Sequence, residues 1–337
     1  MDRLAGMTAP DIARIEAAAD RLKGHAVHTP LLESAFLNDI AGRRVLVKAE
    51  ALQKTGSFKY RGARAALSAL TPHEAARGVL AVSSGNHAQG VALAARELGM
   101  AATILMPSDA PRIKLENTRA YGADLVTYDR ATTDRDALAE EIIQARGLSF
   151  IPPYDHPNVI AGQASVGLEI AAQAGDAGVT EGDVLACCGG GGLSAGIALA
   201  LEARAPGLTL RPVEPEDFDD MARSLEAGRR LSNTAATGSI CDAILTRGPG
   251  ALTFPVLQAR AGPGLRVSDD EALAAVGLAY ERLKLVLEPG GAVALAAALF
   301  QPGAVTGDAV IAVATGGNVD PAMFERALAT LARPGQS

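Results

Sequence analysis

Short apolar runs, closed by turn residues and followed by stretches of helical periodicity, recur along this chain. That alternation restricts the fold more than any other feature. Residues 44–49, 79–83, 102–106 and 123–128 read as strands, with Pro107 closing the third. Residues 88–98, 111–121 and 133–146 read as helices between and after them, and 11–21 as an amphipathic helix ahead of them. The pattern resumes with a strand over 183–188, a helix over 193–204, and strands over 209–213 and 309–314. Regular strand–helix succession is the signature of parallel α/β architecture, because a parallel neighbour is reached only through a crossover, usually a helix. A chain of 337 residues can bury more than one core. We read two three-layer α/β/α units with largely parallel sheets. The large unit takes residues 1–70 and 153–337, and the small one, 71–152, is inserted in it.

Charge and composition narrow the partners. A formal net charge of −7 opposes binding to a polyanion, so no nucleic-acid partner is expected. The Arg229-Arg230 pair reads as solvated surface. Residues 1–8 lack the apolar run of a secretory signal, and stretches such as 292–300 are too short to cross a bilayer. Three cysteines, with Cys187 and Cys188 adjacent, fit reduced thiols rather than a disulfide framework, and no zinc-ligand spacing occurs. The expectation is a cytoplasmic protein that meets neither membrane nor nucleic acid.

The segment Lys54-Thr-Gly-Ser-Phe-Lys-Tyr-Arg-Gly-Ala63 carries the first chemical signal. Lys59 follows a Gly-Ser turn and stands between Phe58 and Tyr60. Apolar walls make an ammonium costly and so turn an amine into a nucleophile, able to condense with an aldehyde such as pyridoxal phosphate. The competing reading is a solvated lysine at a basic helix start, beside Lys54, Arg61 and Arg64. The second signal is Gly189-Gly-Gly-Gly-Leu-Ser-Ala-Gly196, between a strand and a helix. Amides of Gly189, Gly190, Gly191 and Gly192 can approach an anion closely and a helix N-terminus adds its dipole, so a phosphate is the expected guest. The same stretch satisfies a degenerate dinucleotide pattern through Gly190, Gly192 and Ala195, with Glu214 ending the next strand where a ribose-binding acid belongs. A nicotinamide-dependent oxidoreductase therefore stands beside the pyridoxal reading here, and a tight turn required by packing is the third option.

Further segments join these two. They are Ser83-Ser-Gly-Asn-His-Ala-Gln-Gly90, Val159-Ile-Ala-Gly-Gln163, Val213-Glu-Pro215, Glu288-Pro289 and Thr315-Gly-Gly-Asn-Val-Asp320. In order and spacing the set resembles the serine/threonine dehydratase family of fold-type II pyridoxal-phosphate enzymes, which includes the serine racemases and has the tryptophan synthase β-like fold. The dinucleotide pattern explains only one of the matches.

The resemblance implies that Lys59 carries the cofactor as a Schiff base and removes the substrate's α-proton, with Phe58 flanking the ring. Asn86 would hydrogen-bond the phenolic oxygen, Gly189 to Gly192 would wrap the phosphate, and Thr315 would offer its hydroxyl to the pyridine nitrogen. A neutral hydroxyl makes a weaker electron sink than a carboxylate, which suits β-elimination. Ser83, Ser84, Asn86 and His87 would hold the substrate carboxylate. Ser84 stands where many pure dehydratases have alanine, and where racemases and some 3-hydroxyaspartate dehydratases have serine. It is the candidate proton donor on the face opposite Lys59. Relatives also carry a divalent-cation site, which here falls on Glu214, the Phe218 carbonyl and Asp220. All-oxygen ligands suit magnesium, calcium or manganese. The alternative for this acidic run is a solvated turn.

The implied activity is that of a homodimeric lyase acting on a small β-hydroxy amino acid, serine or threonine by default, to give a 2-oxo acid and ammonia. Serine racemase, 3-hydroxyaspartate dehydratase and a non-catalytic ligand-binding relative are the alternatives. The chain ends soon after Asp320, so neither a C-terminal regulatory domain nor feedback inhibition by isoleucine is expected. Arg135, His156 and Arg247 are the conceivable partners of a substrate side-chain carboxylate. His25, His28 and His73 read as surface or structural residues, and Cys187 and Cys188 as packed under the glycine loop. Cys241 has no evident base partner and is not read as a nucleophile.

Overall fold

The computed structural model describes residues 6–331 apart from 111, 130 and 236. Its strands are β1 (Leu31–Glu33), β2 (Arg44–Ala49), β3 (Val79–Val82), β4 (Ala102–Pro107), β5 (Asp124–Tyr128), β6 (Ser149–Phe150), β7 (Gly182–Cys187), β8 (Leu208–Pro215), β9 (Leu265–Val267) and β10 (Ala309–Ala314). Six form one sheet in the order β1-β2-β10-β7-β8-β9, and four form another in the order β5-β4-β3-β6. The β1–β2 pair is antiparallel and the other pairings are parallel. The mostly parallel α/β class read from the alternation is the one observed. β1, β6 and β9 escaped that reading because two or three residues carry no period. The helix expected over 111–121 runs Arg112–Ala120, and Pro111 lies outside the described residues.

β4 and β10 are buried at every residue, so both faces of each sheet are covered, as parallel sheets require. The helices Gly192–Arg204 and Pro289–Phe300 pack on β7 and β8. The apolar stretch 292–300 belongs to the second of them, which is buried through Leu299. No helix among the described residues is long and apolar enough to cross a membrane.

The helix Lys59–Leu67 joins two cores. It packs against the helices Asn86–Glu97 and Pro157–Asp176. Tyr60, Ala63, Ala66 and Leu67 enter the apolar cluster of β3, β4 and the 86–97 helix, while Ala65 packs with Ala161 and Ala164. Backbones approach closely at this crossing. A Cβ at Gly162 would lie 2.6 Å from the Arg61 carbonyl, and one at Gly62 would lie 3.0 Å from the Val159 carbonyl. Gly162→Ala should therefore destabilise the protein by about 1–3 kcal/mol, as overpacking against backbone does. It should also lower cofactor loading, because the displaced helix carries Lys59. Urea unfolding and the visible absorbance of the reconstituted protein measure the two effects, and an unchanged midpoint would show that the crossing can relax.

Candidate active site

The turn before Lys59 is built for close approach. Thr55 and Gly56 have φ of 62° and 72°. Gly317 N–H donates to the Gly56 carbonyl (2.9 Å), Phe58 N–H to the Thr315 carbonyl (3.1 Å), and Asn318 Nδ2 to the Thr55 carbonyl (2.8 Å). The lysine segment is thus stitched to the residues that follow β10. Lys59 opens its helix. Its Nζ donates to the Pro153 carbonyl at 2.9 Å and lies 5.2 Å from the centre of the Phe58 ring. Burial lowers its pKa to about 8. The reading of this stretch as a solvated basic surface is overturned. Arg61 is 1% exposed and ion-paired with Glu50 and Glu169, and Arg64 is buried as well.

Ser83, Ser84 and Gly85 connect β3 to the 86–97 helix, whose first N–H groups have no partner within the helix and so are able to receive an anion. Asn86 Nδ2 donates to Glu288 Oε1 (2.5 Å), and its Oδ1 accepts from Asn318 Nδ2 (2.7 Å). One N–H of the Asn86 amide remains to donate. His87 Nε2–H donates to the Ile151 carbonyl (2.8 Å), and burial drops its pKa to about 3, so it is neutral. Its Nδ1 is buried, has no partner among the described residues and can only accept. A carboxylate can therefore be held by the His87 backbone N–H, not by its ring.

The glycine loop leads from β7 into the 192–204 helix, with Gly191 at φ 89°. A Cβ at Gly190 would fall within 2.3 Å of the Tyr154 ring, and one at Gly192 would lie 2.9 Å from the Tyr154 backbone. The loop's bareness therefore lets Tyr154 close on it. Sequence reading passed over Tyr154; its signal was an aromatic after Pro152-Pro153, just ahead of the 157–176 helix.

Phe58, Lys59, Ser83, Ser84, Asn86, His87, Gly189, Gly190, Gly191, Gly192 and Thr315 all line one cavity of about 180 Å³. Lys114, Tyr154, Cys187, Asp242 and Glu288 line it too, without having been assigned from sequence. Lys114 Nζ and Asp242 Oδ2 are 2.9 Å apart. Burial pushes the Glu288 carboxyl up to about 7. An amine whose pKa is brought down to about 8, a glycine cradle at a helix N-terminus, a free amide N–H and a buried hydroxyl match what pyridoxal phosphate requires.

A second cavity, of about 840 Å³, shares Pro153, Tyr154 and Thr246 with the first and is lined by Arg135, His156, Arg230 and Arg247. The residues weighed as side-chain carboxylate partners thus meet in this outer chamber, not at Lys59. His156 also caps the 157–176 helix, its Nδ1 accepting from Asn158 N–H (3.2 Å). Glu214, Phe218 and Asp220 lie in neither cavity. Glu214 accepts from the N–H groups of Met221 (3.0 Å) and Ala222 (2.8 Å), and Asp220 Oδ1 accepts from Asn233 Nδ2 (2.6 Å). Burial raises both carboxyls, Asp220 to about 7 and Glu214 well above the usual range, where the Asp220 charge adds to the effect. Among the described residues no three His, Cys, Asp or Glu side chains form a metal-holding cluster.

The family described as "Pyridoxal-phosphate dependent enzyme" matches residues 22–316, and the chain belongs to it. Its relatives specify the branch. The L-threo-3-hydroxyaspartate ammonia-lyase of Pseudomonas sp is 43% identical over 304 residues, 90% of this chain and 93% of that protein. The serine racemase of Schizosaccharomyces pombe is 38% identical over 319 residues, 95% of this chain and 96% of that protein. The crystal structure of a threonine deaminase from T.th. superposes with a TM-score of 0.87 at 45% identity, covering 92% of this chain and 99% of that one. The chain is a pyridoxal-phosphate-dependent lyase of the dehydratase and ammonia-lyase group. The nicotinamide reading falls away, since the family match spans the glycine loop and Glu214 is turned to helix amides.

Glu288 yields a pH prediction. Between about pH 4.5 and 7 the unfolded chain has ionised this carboxyl and the folded chain has not. The folded state then binds more protons, so stability falls as pH rises through that window. Glu288→Gln should flatten the fall by roughly 1–3 kcal/mol, read as the difference between denaturant unfolding of cofactor-free protein at pH 5 and pH 7. An identical slope in the variant would mean that the carboxyl is ionised in place.

Proposed function

We propose that this enzyme converts a small β-hydroxy amino acid to a 2-oxo acid and ammonia, with a β-hydroxy dicarboxylate such as 3-hydroxyaspartate as the favoured substrate. The carrying observation is Lys59 Nζ, desolvated in one cavity with the glycine loop, the Ser83–His87 loop and Thr315. Pyridoxal phosphate, when bound, supplies an aldehyde that takes the substrate's amine and a ring that draws electrons from the Cα–H bond. Gly189 to Gly192 would hold the phosphate, Phe58 would flank the ring, the remaining N–H of Asn86 would donate to the phenolic oxygen, and the Thr315 hydroxyl would serve the pyridine nitrogen. Amides at the start of the 86–97 helix, with Ser83 and Ser84, hold the α-carboxylate. Lys59 Nζ would take the α-proton of the bound amino acid. A pKa of about 8 leaves part of it neutral near physiological pH. Tyr154 separates this chemistry from the outer chamber and helps keep water out.

Substrate preference rests on the outer chamber. Arg135 and Arg247 line it beside Thr246, a setting for a second carboxylate, and the Pseudomonas relative is named for such a substrate. Racemisation is the second reading, favoured by the Ser84 hydroxyl in the cavity and by the Schizosaccharomyces pombe relative. Glu214, the Phe218 carbonyl and Asp220 would hold a magnesium, calcium or manganese ion. Support comes from two buried carboxylates within electrostatic range and from Asp220 Oδ2, which has no hydrogen-bond partner among the described residues. A homodimer would cover Phe36, Ile40, Leu52, Tyr280 and Val286, all exposed here.

Lys59→Ala should lose the visible cofactor band and slow turnover by about 10³-fold or more, since the anchor and the base go together. Ammonia release from the stereoisomers of serine, threonine and 3-hydroxyaspartate, followed with chiral analysis of recovered substrate, ranks the substrates and exposes racemase activity. Normal turnover by the variant would sink the lyase reading. Arg247→Ala should raise KM for 3-hydroxyaspartate about tenfold and leave that for serine nearly unchanged, as loss of a charge-assisted contact implies. Equal changes for both substrates would remove Arg247 from recognition. Chelator should lower the melting temperature, because a bound cation adds its binding free energy to the native state. Metal-free protein of unchanged activity and melting temperature would refute the cation site.

A further inference from the structure

The thiol of Cys187 plays no part in the chemistry above, yet it lines the same cavity as Lys59 and Thr315. β7 and β10 are neighbours in the large sheet; β7 ends in Cys187, and Thr315 follows the end of β10. The Thr315 backbone is pinned on both sides. Its N–H donates to the Gly291 carbonyl (3.1 Å), and its carbonyl accepts from Phe58 N–H (3.1 Å). What stays adjustable is the side-chain rotamer and the direction of the hydroxyl proton. Among the described residues that hydroxyl has a single hydrogen-bond partner, Cys187 Sγ at 3.2 Å. Thr315 is 3% exposed and Cys187 4%, so bulk water does not compete for it. Burial pushes the thiol up to about 11, so it keeps its proton and can donate. Either atom can donate in this contact, and with S–H as the donor the hydroxyl proton stays free for an acceptor stronger than sulfur. The adjacent Cys188 does not share this position: its Sγ donates to the Gly189 carbonyl (3.4 Å), and it does not line the cavity.

We infer that Cys187 is a positioning residue whose S–H donates to Thr315 Oγ1, so that the Thr315 O–H is presented to the pyridine nitrogen of the cofactor. The inference rests on the role given to Thr315 above. A hydroxyl whose oxygen is already occupied by one donor has its own proton free for another acceptor. Without the thiol, that proton can rotate among its staggered positions. No bond to Cys187 is made or broken during turnover.

The test uses full-length protein loaded with pyridoxal phosphate, in wild-type form and as Cys187→Ala, Cys187→Ser, Thr315→Ala and the Cys187→Ala/Thr315→Ala double variant. The readouts are the position of the visible cofactor band, its titration with pH, and the cofactor dissociation constant by equilibrium dialysis. Cys187→Ala should move the band and its titration in the same direction as Thr315→Ala. It should also raise the dissociation constant about three- to tenfold, the effect of one buried hydrogen bond. Cys187→Ser, which restores a donor, should return the wild-type spectrum, a rescue that a mere packing role would not predict. In the Thr315→Ala background, Cys187→Ala should add nothing. A wild-type spectrum for Cys187→Ala, or the same shift with and without Thr315, overturns the inference while leaving Thr315 in its role. A spectrum unmoved by Thr315→Ala overturns the role of Thr315, and that of Cys187 with it.

Discussion

The position of the site depends on a buried guanidinium. Arg61 stands two residues beyond Lys59. Its Nε and Nη2 donate to Glu50 (2.8 Å each), and Nη1 and Nη2 donate to Glu169 (2.6 and 3.0 Å). Lys48 joins the same cluster through Glu169 (2.5 Å) and the Thr29 carbonyl (2.7 Å). Two cations therefore meet two carboxylates, and the cluster ties β2, the 50–52 turn, the lysine helix and the 157–176 helix together. Removing one partner of such a network strands a charge in a dry interior, a loss of about 3–5 kcal/mol. Satisfying all of them fixes the helix, and with it the point from which Lys59 enters the cavity.

The same dry interior acts on the buried ionisable groups with opposite consequences. At Arg61, burial is compensated by carboxylates and the charge survives. At Lys59, compensation is weak and the ammonium becomes costly, which is what a proton-accepting amine needs. His87 is driven neutral and Glu288 is held partly protonated by the same desolvation. His87 Nδ1 and Thr246 Oγ1, polar atoms without partners among the described residues, belong to residues that line the cavities, where ligands can satisfy them.

Topology explains why residues so far apart in sequence converge. Ser83 follows β3, the glycine loop follows β7, and Thr315 follows β10, so each segment leaves the carboxyl end of a parallel strand. Ligand sites of parallel α/β sheets form at such ends, where strand-to-helix loops and helix N-termini gather. Two sheets contribute to one cavity, and the 59–67 helix, packed between the core of the small sheet and the helices over residues 12–22 and 157–176, brings the lysine to it.

Local chemistry in the sequence determined a large part of this. The strand–helix period disclosed the fold class, because period depends only on neighbours along the chain. Lys59 between aromatics, four glycines between a strand and a helix, and Ser-Ser-Gly-Asn-His after a strand disclosed the inner cavity, since each motif carries its own geometry. Tertiary structure decided the rest. Arg61 and Arg64 read as surface cations, because carboxylates at Glu50, Glu97 and Glu169 become their partners only on folding. Lys114 and Asp242 carry no local mark of their place, Tyr154 only that of an aromatic after two prolines, and Glu288-Pro289 stood out as a segment but not as a wall of the cavity. Cys187 was readable as packed under the glycine loop, but its contact with Thr315 requires β7 and β10 to lie side by side, 128 residues apart in the chain. Hydrogen bonding and desolvation act through space, and a sequence shows them only where the chain itself keeps the partners close.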